Sequence, residues 1–267
     1  MRDADSTKTG WPPGRFSGAR VRLAVLGHLL IALTVAFALA GCASTDAAEP
    51  AARASGLPEG INDAFLDESL DVEKYVERFE GESRDVYARR AEITEALALS
   101  PGGRVADIGA GPGFFSFLFA ERVGPSGRVD AVEISPAFLE HLREQQSERG
   151  LEQLRVVEGS ARSVELDPDS IDLAFICDVY HHFEYPSDTL ASLHSAIRTG
   201  GSLVLIEFER IPGVSPEWLL EHVRAGREVF IKEIEAAGFR LDEEIEIEGL
   251  DDNYVLRFSR LDTPARP

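Results

Sequence analysis

The sequence predicts an α/β domain built on a mostly parallel sheet, and three observations predict it. Short β-type runs alternate with helical patterns, a glycine-rich turn follows the first run directly, and two final runs stand too close together for a helical crossover. The β-type runs are Arg104 to Ile108, Arg128 to Val132, Leu154 to Val157, Ile171 to Ile176 and Ser202 to Phe208. Helical patterns lie between them near Phe114 to Val123, Pro136 to Arg149 and Ser187 to Arg198. A shorter helix, Arg227 to Ala237, ends at Gly238, where a left-handed residue closes the turn. Arg240 to Ile247 and Tyr254 to Ser259 have only about six residues between them, so they pair antiparallel.

The 267 residues, 44% of them hydrophobic, are enough for one good core with appendages. A formal net charge of −20 with no basic run argues against a nucleic-acid partner, because a polyanion is repelled at long range. A small or cationic ligand is easier to accommodate.

The first 42 residues have the layout of a secretory signal. Arg15, Arg20 and Arg22 precede an apolar run from Leu23 to Ala40, which ends in the small residues Leu39-Ala40-Gly41-Cys42. "LAGC" resembles the bacterial lipoprotein signal, which implies that Cys42 is acylated and becomes the new N-terminus. A single transmembrane anchor is the other reading of the apolar run. Both place the folded part outside the cytoplasm; the lipoprotein reading makes it membrane-anchored and periplasm-facing. Residues 43–60 are rich in Ala, Ser, Pro and Glu and are expected to form a flexible tether. Residues 61–99 carry apolar positions at helical spacing, Val72, Tyr75, Val76 and Phe79, then Val86, Tyr87, Ala91, Ile93 and Leu97. They predict two helices broken near Gly81, an N-terminal cover on a domain spanning residues 100–260 with a short tail, 261–267. With Cys42 lipid-linked, Cys177 has no partner within the chain and is expected in the core.

The glycine turn "DIGAGPG" carries the chemistry. Gly109, Gly111 and Gly113 let the backbone turn sharply and approach a ligand with no Cβ in the way. A dinucleotide site wants G-x-G-x-x-G, but Phe114 follows Gly113, so the spacing here is G-x-G-x-G and a nicotinamide oxidoreductase is disfavoured. "VADIGAGPG", followed by "VDAVEIS", "DSIDLAFICDVYHHF", "IRTGGSLVLIEF" and "EIEAAGF", resembles the class I S-adenosylmethionine-dependent methyltransferases over about Pro101 to Ser259. The resemblance implies a Rossmann-like, seven-stranded, mostly parallel sheet with helices on both faces and an antiparallel C-terminal hairpin. It implies S-adenosyl-L-methionine as cofactor, with Gly109, Ala110, Gly111 and Gly113 under its methionine part and Asp107 organising the loop. Glu133 would take both ribose hydroxyls and Ile134 would pack on the adenine. Where the family often has an acid for the adenine amino group, this chain has Ser160, whose hydroxyl accepts a hydrogen bond but carries no charge.

On the acceptor side the resemblance points to "CDVYHHFEYP", which supplies Asp178, Tyr180 and His181 as catalytic candidates. Adjacent histidines in extended chain point to opposite sides, so one of His181 and His182 is expected to face the pocket, with His181 preferred. For the same reason the pair is a poor metal site, and no metal is expected. His182, His222 and Arg224, with Arg84 and Tyr87 from the cover, are candidate substrate contacts; Glu207, Glu209 and Arg210 leave the fifth strand nearby. Phe114, Phe115, Phe117 and Phe119 point to nearly all sides of their helix and are expected in the core. The function expected is methyl transfer to a small-molecule or lipid-borne acceptor. The alternative is an exported, non-catalytic module that binds adenosyl ligands.

Overall fold

The structure, a computed structural model, describes residues 52–81 and 84–262. The signal-like segment 1–42, with Cys42, lies outside the described residues. Among the described residues no helix is long and apolar enough to cross a membrane.

Seven strands form one sheet in the order β3-β2-β1-β4-β5-β7-β6: β1 (Arg104–Ile108), β2 (Arg128–Glu133), β3 (Leu154–Glu158), β4 (Ile171–Cys177), β5 (Ile197–Phe208), β6 (Phe239–Glu244) and β7 (Asn253–Arg260). The first five run parallel, and β7 lies antiparallel between β5 and β6. This is the α/β class expected from the sequence, closing hairpin included. Alternation decides how the sheet buries both faces. In β4, Leu173 and Phe175 join one apolar cluster while Ala174 and Ile176 join the other, and in β5 Val204 and Ile206 alternate with Leu203 and Leu205.

Helices cover both sides. The N-terminal segment holds α1 (Asp63–Leu66), α2 (Val72–Phe79), α3 (Asp85–Ala88) and α4 (Arg90–Ala96), and the crossovers supply α5 (Phe114–Val123) and α6 (Pro136–Arg149). α7 (Pro186–Ala196), α8 (Glu217–His222) and α9 (Arg227–Ala236) complete the chain. Ile93 of α4 and the phenylalanines of α5 fill one face; Leu190 and Leu193 of α7 and Phe230 and Ile234 of α9 fill the other.

Three expectations are corrected. The cover is four short helices, not two, because the apolar positions of residues 61–99 belong to turns that pack on different neighbours. The described end of the expected tether is docked on the domain: Leu57 is buried, and the Ala54 amide donates to the Glu184 carbonyl at 2.7 Å. β5 also begins at Ile197, earlier than the hydrophobic run, because Ile197 pairs with Ile171 ahead of a register irregularity.

The sheet order reverses between β1 and β4, and the carboxyl ends of the strands on both sides of that point open on one crevice. In open α/β sheets this is where a ligand binds.

Candidate active site

The crevice is a cavity of about 660 Å³, within the usual size of small-ligand sites. Its floor is the turn between β1 and α5. Gly109 has φ +70°, and a Cβ there would overlap the side chain of Val179. Gly113 caps α5 with φ +98°, where a Cβ would come within 2.6 Å of Leu142 and Phe117. The Gly109 and Ala110 amides donate to the Val132 carbonyl at 2.8 and 3.0 Å, which ties the turn to the end of β2.

Glu133, the last residue of β2, faces that turn. One carboxylate oxygen accepts the Gly111 amide at 2.7 Å, and the other accepts the Ile134 and Ser135 amides at 2.8 and 2.9 Å. A carboxylate has about four acceptor positions, so backbone donors hold this one in place and still leave capacity toward the cavity. Burial pushes its pKa up while those three amides pull it back. Asp107, at the end of β1, accepts the Ser116 hydroxyl at 2.6 Å; burial raises its pKa to about 7, against the pull of that hydroxyl and with a further push from Glu133. Ile134 and Ser160 also line the cavity, but the Ser160 hydroxyl is taken up in its own turn, accepting the Ser163 amide at 3.1 Å.

The opposite wall follows β4. Asp178 has φ +53°, a left-handed conformation in which the chain leaves the strand and enters a single 3-10 turn, Tyr180–His182. That turn corrects the picture of an extended histidine pair. Both imidazoles line the cavity, their ring centroids 4.4 Å apart, and His222 at the end of α8 joins them at 5.0 and 5.1 Å. His181 Nδ1 sits 2.7 and 2.9 Å from the Glu207 carboxyl oxygens, and His182 Nδ1 is 3.0 Å from Asn62 Oδ1. Burial lowers His181 to about 4 and His182 to about 2, and it lowers His222 as well, so all three rings are neutral at neutral pH. Burial likewise pushes Glu207 well up, so the surroundings of the hydrogen-bonded His181–Glu207 pair favour its uncharged forms.

The remaining candidates divide. Asp178 and Arg84 line the cavity but pair with each other, and the second Asp178 oxygen accepts Asn253 Nδ2 at 2.6 Å, so this carboxylate positions the cover and is not a free base. Tyr180 is fully buried on the far side of its turn, packed on Phe230 with its hydroxyl donating to Glu233 at 2.9 Å; it is a core residue. The Arg224 guanidinium is buried against the same Glu233, and Tyr87 packs on Phe114, so neither lines the cavity. Phe114, expected in the core, is half-buried and reaches the cavity with Phe115. Cys177 touches the cavity too, but burial pushes its thiol pKa well up and leaves it unreactive. Arg210 donates to the Val223 and Leu220 carbonyls at 2.6 and 2.8 Å, holding the α8 segment, and Glu209 meets Arg227.

The sequence reading missed the aromatic roof. Phe65, Tyr75, Phe79, Phe138, Phe208 and Trp218 line the cavity above the imidazoles. Tyr75 and Phe79 belong to the apolar stripe of α2, yet no residue of α2 is buried, because that stripe faces the open cavity and not the core. An amphipathic helix that precedes the glycine turn was the available signal.

A bare turn after β1, a carboxylate ending β2 and an antiparallel β7 together define the fold of class I S-adenosylmethionine-dependent methyltransferases. Comparison with known proteins agrees, since residues 105–201 match the family model described as a methyltransferase domain. The aklanonic acid methyltransferase DauC of Streptomyces sp. (strain C5) is 31% identical over 147 residues, 51% of this chain and 65% of that protein. The ubiquinone/menaquinone biosynthesis C-methyltransferase UbiE of Ectopseudomonas mendocina (strain ymp) is 28% identical over 120 residues, 45% of this chain and 46% of that protein. The chain thus spans less than two thirds of the length of either relative. In fold it is similar to a crystal structure of a SAM-dependent methyltransferase from Aquifex aeolicus, with a TM-score of 0.61 at 18% identity, covering 70% of this chain and 97% of that one. The cofactor that the matched domain implies is S-adenosyl-L-methionine.

Proposed function

We infer that the protein transfers a methyl group from S-adenosyl-L-methionine to a small, largely apolar acceptor. The observation that carries this reading is the Gly109–Gly113 turn held against the Glu133 carboxylate in the cavity floor. The residues fit the cofactor: main chain without side chains offers room and amides for its methionine part, and Glu133 keeps acceptor capacity for ribose hydroxyls. Asp107 lies beneath the same turn, where a carboxylate favours a cationic ligand. When bound, the cofactor supplies an electrophilic methyl group. The chain's own work is then alignment and exclusion of water. The aromatic roof excludes water and presses a flat apolar acceptor toward the floor. His181, oriented by Glu207, can accept a hydrogen bond or a proton from that acceptor, while the nearby Asp178 carboxylate is taken up by Arg84 and Asn253. The strand order also counts against a nicotinamide oxidoreductase, whose doubly wound sheet ends on a parallel sixth strand.

The names of DauC and UbiE point to aklanonic acid and to ubiquinone and menaquinone biosynthesis for those proteins, and the aromatic roof suits flat, apolar acceptors. Lipid-borne delivery is part of the proposal. Trp218 of α8, which lines the cavity, is 54% exposed, and Val214 on the loop before α8 is 77% exposed, which leaves exposed apolar side chains in this segment. A lipid anchor at Cys42 would make the protein membrane-associated and periplasm-facing. Metabolic labelling with a fatty-acid probe should mark the full chain and leave Cys42→Ser unmarked; labelling that persists in the variant removes the anchor from the proposal. Methyl transfer is tested by incubating the full chain with methyl-labelled cofactor and a panel of phenols, quinols and polyketide acids. Label in any product supports an enzyme, and cofactor binding with no product across the panel favours the non-catalytic module.

A further inference from the structure

We propose that His181, His182 and His222 form a binding site for one first-row divalent transition metal ion, of which zinc is the best fit. The three residues each offer a ring nitrogen, and these atoms all lie within 4.8 Å of one another. Tetrahedral zinc with bonds of about 2.0–2.1 Å needs its nitrogens about 3.3 Å apart, so small rotations of the rings close the set. Two separate elements meet to make it: the 3-10 turn after β4 gives two ligands, and the last residue of α8 gives the third.

The surroundings are those of ligating histidines. His181 Nδ1 is held by a buried carboxyl, Glu207, and His182 Nδ1 by a buried carboxamide, Asn62, whose own Nδ2 donates to the His182 carbonyl at 3.2 Å. With both Nδ1 atoms engaged, His181 and His182 each have Nε2 left for a metal, and an acceptor oxygen behind each imidazole fixes its tautomer and orientation. His222 makes no hydrogen bond among the described residues, so a ligand bond costs it no partner. Three imidazole nitrogens suit zinc, cobalt, nickel or copper and not the oxygen-seeking magnesium or calcium. Three protein ligands leave at least one coordination position open, and all three rings line the cavity, so that position is accessible from it. The site rests on the geometry of the rings and not on cofactor binding; a metal on His181 Nε2 would take the nitrogen that the proposed function leaves free for a proton, so the two are alternatives at that atom.

The test is a calorimetric titration of the untagged full chain, stripped with chelator, with Zn(II), together with absorption spectra on addition of Co(II). One ion per chain is expected, with visible cobalt bands of a nitrogen-rich site of low coordination number. His222→Ala and His222→Gln should weaken zinc binding by about tenfold or more, as loss of a ligand does, with circular dichroism and melting temperature near those of the parent. Absence of stoichiometric binding, or binding unchanged in both variants, would overturn the site, since carboxylates on an acidic surface would then be the binders. The cofactor is titrated in parallel. Zinc binding without cofactor binding would keep the metal site and remove the proposed function; the reverse would remove the metal site alone.

Discussion

Asp107 is the side chain whose environment most changes its chemistry. Its ordinary value is 3.8, whereas in the folded protein burial holds it protonated up to about 7. Between those values the folded state binds the proton that the unfolded state has lost, so this residue's contribution to stability is complete below 3.8 and drains away as pH rises toward about 7. A cationic ligand in the adjoining turn favours the ionised form. Cofactor affinity is therefore expected to rise between pH 6 and 8, and Asp107→Asn to flatten that rise, as calorimetry at several pH values will report. Gly109→Ala probes the neighbouring backbone: a left-handed alanine costs about 1–2 kcal/mol, and its Cβ would also displace Val179 from the cavity wall. The strain lowers stability, and the clash shifts the turn and the Val179 wall, so cofactor affinity should fall by about tenfold or more, with unchanged affinity as the contrary result. The glycines and Glu133 were legible in the sequence because a turn and the acid ending the next strand are defined by local spacing. Tyr180, Arg224 and Tyr87 were misplaced because their side-chain directions depend on a 3-10 turn and on partners, Glu233 and Phe114, that belong to other elements.

At the scale of elements, α2 is the informative case. Its stripe Val72, Tyr75, Val76 and Phe79 has the spacing of a core-facing helix, yet none of these residues is buried. The Asp71 carboxylate caps the helix by accepting the Lys74 amide at 3.2 Å, so its start is fixed locally even though its apolar face has no full partner. Tyr75 touches Phe65 and Phe138 at centroid distances of 5.4 and 5.7 Å, forming the roof. Tyr75→Ala should therefore shift the melting temperature only slightly, as substitutions outside the core do, while weakening ligand binding several-fold. A large loss of stability with unchanged binding would show that α2 belongs to the core. Strands β1, β4 and β5 were readable as near-continuous apolar runs because each feeds both clusters. The cover was not, since helical spacing reports an apolar face without saying whether protein or ligand covers it. α8 was missed for a related reason: its six residues are too few to show a period, and Arg210 fixes the segment through backbone carbonyls.

For the whole molecule, the order of strands does the organising. The reversal between β1 and β4 opens the crevice, and the closing hairpin brings Asn253 beside Asp178, which in turn grips Arg84 of the cover. Closing hairpin, β4 wall and cover are thus linked through one carboxylate. The hairpin was evident from its short connection; the meeting of His222 with His181 and His182 was not, because it depends on how a loop after β5 folds back over the strand ends. The central claim is that this crevice is an adenosyl-sulfonium site. Calorimetric titration of the full chain with S-adenosyl-L-methionine, its demethylated product and NAD measures it most directly. One-to-one binding of both adenosyl ligands in the micromolar range, lost in Glu133→Ala and absent for NAD, is the predicted result; failure of both adenosyl ligands to bind, or binding of NAD alone, would contradict it.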